Sequence, residues 1–119
     1  TTTARLLAAL VLVTACGRDP VARDRDYLYL WTASADSTQP DFLAVVDVTE
    51  PADDSTRYGD VVTTLAVPGL GNGPHHSEHL MPADGQLFAN GWATGRSWVF
   101  DLTTRLAPRI AAAFEDVAG

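Results

Sequence analysis

Two hydrophobic runs that close on an aspartate, Val45-Val46-Asp47-Val48 and Val99-Phe100-Asp101-Leu102, set the terms for the whole chain. Their aspartates stand 54 residues apart. Each run ends the middle member of a set of three strand-like segments. Tyr27–Ala33 is rich in aromatics, Phe42–Val48 is an apolar run broken only by Asp47, and Val61–Val67 is β-branched and stops at Pro68-Gly69. Gln86–Trp92, Ser97–Leu102 and Arg109–Phe114 repeat that order around a shorter middle loop. Such runs, bounded by Gly, Pro, Asp and Ser clusters, read as strands. The alanines of Arg109–Phe114 favour a helix there, whereas the repeat favours a strand. Sheets of about four strands recurring every ~40–50 residues mark a β-propeller. The expected fold is therefore all-β, a partial β-propeller of antiparallel strands. A closed ring takes about 4–8 sheets and this length supplies about two. The expectation is thus an N-terminal part of a longer domain, occupying residues 27–119.

The residues before Tyr27 read differently. Arg5 precedes the apolar run Leu6–Val13, which suits a signal-peptide core and is well short of the ~20 residues that span a bilayer. Val13-Thr14-Ala15-Cys16 resembles the lipobox of bacterial lipoproteins, in which small residues admit the peptidase and the cysteine takes the lipid. Residues 1–16 are thus expected to be a lipoprotein signal peptide with Cys16 as the lipidated residue. The other reading is a short buried helix with a core cysteine. Gly17–Asp26 is polar, with charges of alternating sign, and reads as a tether. The expected location is the cell envelope of a bacterium, on the periplasmic face or cell surface, with the membrane as a partner through the anchor. Cys16 is the single cysteine, so neither an intrachain disulfide nor a thiolate cluster can form. The formal net charge of −7 argues against a nucleic-acid binder, since phosphate contacts need basic patches.

All three histidines of the chain fall within five residues, in Pro74-His75-His76-Ser77-Glu78-His79. Imidazole is a ligand for copper, zinc and iron. On a regular strand, His75, Ser77 and His79 would share one face and His76 and Glu78 the other. On a helical turn His75 and His79 would again face together, so either reading lets those two converge on one ion. Glu78 is placed to orient an imidazole and fix its tautomer. Read blandly, the same histidines are solvated loop residues or hydrogen-bonded fillers of a channel. Pro82-Ala83-Asp84-Gly85 is a turn signal behind them. Trp31, Trp92 and Trp98 read either as core between sheets or as the lining of a ligand pocket. Asp47 and Asp101, at strand ends, read as turn caps.

Pro40-Asp41-Phe42-Leu43-Ala44-Val45-Val46-Asp47-Val48 and Tyr58–Leu70, running on to His75-His76-Ser77, resemble the selenium-binding protein family, whose bacterial members include methanethiol oxidases. The resemblance covers roughly Tyr27 to Asp101. It implies a β-propeller several times longer than this chain and a copper-dependent oxidation of a small thiol. His75 and His76 match the family's His-His pair. His79 stands where a Trp is more usual, and no cysteine follows the pair, so the resemblance does not extend to selenium binding. The expected metal residues are His75, His76 and His79, with copper as cofactor and a small thiol as substrate. The alternative is a non-catalytic, surface-anchored propeller that binds a ligand or partner protein.

Overall fold

The structure, a computed structural model, describes residues 24–50 and 57–115. Seven strands occupy them: β1 (Tyr27–Thr32), β2 (Phe42–Asp47), β3 (Val61–Ala66), β4 (Pro74–Ser77), β5 (Gln86–Gly91), β6 (Arg96–Asp101) and β7 (Arg109–Glu115). They form two antiparallel sheets, one in the order β1-β2-β3 and the other β4-β5-β6-β7. The protein is all-β over these residues. No helix among them is long and apolar enough to cross a membrane. The stretch read as a signal peptide, with its lipobox-like pattern and Cys16, lies outside the described residues.

The repeat seen in sequence is also a repeat of register. Tyr27 pairs with Asp47 at one end of the β1–β2 ladder, as Gln86 pairs with Asp101 in β5–β6. The β2–β3 ladder slips between Val45 and Val46, and the β6–β7 ladder slips between Val99 and Phe100. The two irregularities are separated by the same interval as Asp47 and Asp101. A bulge adds local twist to a strand pair, so both sheets bend at the same point.

Alternation along the strands sends one face of each sheet inward. Leu43 and Val67 from the first sheet meet Leu87, Ala89, Trp98, Phe100 and Leu102 from the second, with Tyr29, Trp31, Leu65 and Ile110 packed around them. Phe100 and Leu43 are fully buried. Burying a side chain of this size stabilises by about 1.5–3 kcal/mol. The Trp31 and Phe100 rings meet with centroids 5.8 Å apart.

Polar ties run between the sheets around this core. The Trp31 indole N–H donates to the Asn90 carbonyl at 2.8 Å. The Tyr29 hydroxyl donates to the Arg105 carbonyl at 3.1 Å. Buried Asp41 accepts from the Ser34 N–H at 3.0 Å and from the Gly73 N–H at 3.2 Å. The end of the stretch read as a tether also joins in. Arg105 donates to Asp24 and to the Arg25 carbonyl, each at 2.7 Å, and the Asp26 carbonyl accepts from the Val48 N–H at 3.0 Å.

Asp47 and Asp101 are the turn caps that their positions suggested. Thr49 N–H donates to Asp47 at 3.0 Å and Thr103 N–H to Asp101 at 2.9 Å. Each buried carboxylate also takes an arginine, Arg25 for Asp47 and Arg109 for Asp101. The hydroxyl and amide of Thr103, then Arg109, hold the Asp101 carboxyl down at about 2. Thr49 and then Arg25 shift Asp47 in the same direction.

Candidate functional site

β4 is short because its pairing is irregular. Pro74 pairs with Gly91 and Ser77 with Ala89, so His75 and His76 together stand opposite the single residue Asn90. An extra residue of this kind breaks the strict alternation of a strand. Plain alternation would have put the two rings on opposite faces. Instead His75 Nδ1 and His76 Nδ1 lie 2.7 Å apart, with ring centroids 4.1 Å apart and planes nearly perpendicular. At that separation one nitrogen carries the proton and the other accepts it.

Asn90 and Trp92 hold this pair. The His76 backbone N–H, displaced from the ladder, donates to Asn90 Oδ1 at 2.8 Å. The same residue's carbonyl receives Trp31 from the other sheet, so the bulge is fastened to the inter-sheet contact. Trp92 lies against His75 with centroids 5.2 Å apart and planes inclined by 37°. Trp92 is 74% exposed, unlike buried Trp98 and half-buried Trp31. The three tryptophans therefore divide between the two readings, with Trp92 alone standing beside the candidate site.

The other residues expected at the site lie elsewhere. Glu78 turns to the β5 backbone and accepts the Phe88 N–H at 2.9 Å, rather than an imidazole N–H. His79 lies past the end of β4 and lines a groove of about 370 Å³ with Ser77, Glu78, Leu80, Met81 and part of β1. Among the described residues, no group of three His, Cys, Asp or Glu side chains converges as a metal site. His75 and His76 thus form a two-nitrogen pair. Zn–N bonds of ~2.0–2.1 Å put two ligand nitrogens at roughly 3 Å from each other. To hold one ion the two rings would have to part and turn until both lone pairs converge on it, and the pair would then supply two of the nitrogens that an imidazole-preferring metal takes. Asn90 was not foreseen; an Asn in mid-strand, where that residue is depleted, was the available signal.

A solved structure of a hypothetical selenium-binding protein from Sulfolobus tokodaii is similar to this chain, with a TM-score of 0.57 and 23% identity over 77% of the chain. The likeness is one of fold. The chain spans 22% of the length of that protein. No family model matches the chain, and no curated protein matches it.

Proposed function

We propose that this chain is the N-terminal part of a selenium-binding-protein-like β-propeller. In its full-length, lipid-anchored form it binds copper and oxidises a small thiol such as methanethiol. The fold likeness and the matched bulges of two face-packed sheets support the propeller. The observation that carries the activity is the convergence of His75 Nδ1 and His76 Nδ1 at the bulge. The anchor rests on the Val13–Cys16 pattern alone.

Copper, when bound, would supply the electron transfer between thiol and dioxygen that side chains do not carry out unaided. His75 and His76 would hold it. Trp92 stacked on His75 and Asn90 on the His76 amide limit the freedom of the two rings, so less ordering remains to be done on binding. Protons compete for the same nitrogens, so affinity falls as the pH is lowered. Further ligands would come from parts of the propeller outside this chain, and His79 would join them only if the groove segment closes toward the pair.

Metal analysis of the full-length protein after copper loading and dialysis is the test. About one copper per chain is expected, and His75→Ala or His76→Ala should weaken binding by more than the ~10–100-fold typical of changes behind the ligands, such as Asn90→Ala at the His76 amide. An unchanged copper content in the His75→Ala/His76→Ala double variant would move the reading to the non-catalytic binding propeller.

A further inference from the structure

Both asparagines of the chain are followed by glycine, in Asn72-Gly73 and Asn90-Gly91. This dipeptide carries a chemistry of its own. The glycine's backbone nitrogen can attack the asparagine side-chain amide, expel ammonia and close a five-membered imide, and glycine has no side chain to obstruct the approach. The fold treats the two pairs in opposite ways. Asn90 lies in β5 with its Oδ1 engaged by the His76 N–H at 2.8 Å. On a strand the side chain stands perpendicular to the sheet, away from the next amide in the plane of the ladder. Asn72 lies outside the strands, in the 69–73 loop, and is only 1% exposed.

Each atom that the reaction uses has a placed partner around Asn72. The Gly73 N–H, the nucleophile, donates to Asp41 Oδ2 at 3.2 Å, within reach of a general base. Asp41 is itself buried, and its other oxygen is fixed by the Ser34 N–H at 3.0 Å. The carbonyl of the same peptide, that of Asn72, accepts the Ala93 N–H at 3.0 Å. A hydrogen bond at a peptide oxygen polarises the group and makes its N–H a better proton donor. The Thr94 hydroxyl donates to Asn72 Oδ1 at 3.3 Å, the oxygen that gains negative charge when the amide carbon is attacked. Asn72 Nδ2, the leaving group, is buried with no hydrogen-bond partner among the described residues. Buried polar atoms are nearly always bonded, so an unbonded one calls for a reason. Here its departure breaks no hydrogen bond.

We propose that Asn72-Gly73 is a self-modifying site, at which the folded protein converts Asn72 to a cyclic imide. Gly73 N bonds to Asn72 Cγ, and the Cγ–Nδ2 bond breaks. The proton of Gly73 N passes to Asp41 and on to the departing Nδ2, which leaves as ammonia. Water then opens the ring to aspartate or isoaspartate. Burial slows this second step, so the imide accumulates. The change reaches the histidine pair, because the Gly73 carbonyl accepts at 2.8 Å the N–H of Trp92, which stacks on His75.

The test is peptide mapping by mass spectrometry of the full-length protein, incubated at neutral pH either folded or in guanidinium and digested at mildly acidic pH. Trypsin cuts at Arg57 and Arg96, so one fragment reports both Asn-Gly pairs. Imide, aspartate and isoaspartate are counted together. In the folded protein Asn72 should react at least ~10-fold faster than in guanidinium, a small part of what a positioned base can supply. Asn90 should stay intact in the folded protein, and the two pairs should react alike in guanidinium. Thr94→Val should slow Asn72 by ~10-fold or more, and Thr94→Ser should keep the parent rate. An Asn72 that reacts no faster folded than unfolded overturns the proposal. So does a Thr94→Val rate equal to the parent's, or aspartate formed without imide or isoaspartate. Should Thr94→Val fail to fold, the folded-to-unfolded ratio of the parent decides alone.

Discussion

Asp101 shows how much one side chain carries in this fold. It ends β6, takes the Thr103 amide at 2.9 Å and hydroxyl at 2.6 Å, and pairs with Arg109 at the start of β7. These contacts favour the charged carboxylate, whose pKa falls from the ordinary 3.8 to about 2. A depressed carboxyl gives its stabilisation in full above the unfolded value, and loses it as the pH falls through the folded one. In the full-length protein, Asp101→Asn should therefore lower the urea midpoint at pH 6. The gap to the parent should close between about pH 4 and pH 2, where the parent's own carboxylate becomes neutral. A gap of constant size across that range would mean that the charge is not what stabilises the corner.

At the scale of the strands, the tightest fit lies where β5 leaves the bulge. A Cβ placed on Gly91 would stand 2.7 Å from the Asn72 carbonyl oxygen and 3.2 Å from Thr94 Oγ1. The obstructing atom is backbone and cannot swing aside. Gly91→Ala should cost about 1–3 kcal/mol in urea unfolding, and it should loosen the Pro74–Gly91 pair that begins β4. A loss below ~0.5 kcal/mol would show that the 69–73 loop yields freely. The positions of the strands were legible because their apolar runs and turn residues are local signals. Arg109–Glu115 is a strand despite its alanines, since pairing to β6 along its length outweighs a weak helix preference. The bulge at His75-His76 was not legible. Nothing in the composition of Pro-His-His-Ser marks one residue as extra, and the defect arises only against Asn90 across the ladder. The faces assigned to His75 and His76 followed an alternation that the chain does not keep, and it is these two rings, not those of His75 and His79, that meet. Glu78 was read as a neighbour of imidazoles because it is near them in sequence, yet the unpaired Phe88 amide claims it.

For the molecule as a whole, the apolar residues of the inner faces are packed and those of the outer faces are not. Phe88 and Phe114 on the second sheet are 50% and 49% exposed, and Leu28 and Leu30 on the first are 45% and 43% exposed. Apolar patches and open edges of this kind drive association. The isolated segment 27–119 should therefore sediment as oligomers or aggregates and melt over a broad range. Phe88→Ser with Phe114→Ser should shift it toward monomer. A sharp two-state melt of a monomeric parent segment would count against the partial-propeller reading. The inter-sheet ties have one more consequence. Each joins a residue of the first sheet or its approach to one that follows it in the chain: Asp24 and Tyr29 to Arg105, Trp31 to Asn90, and Asp41 to Gly73. These partners all come later in the chain, so the ladders of the first sheet are local to it, whereas the fastening of its start and its far end depends on residues of the second sheet and its turns.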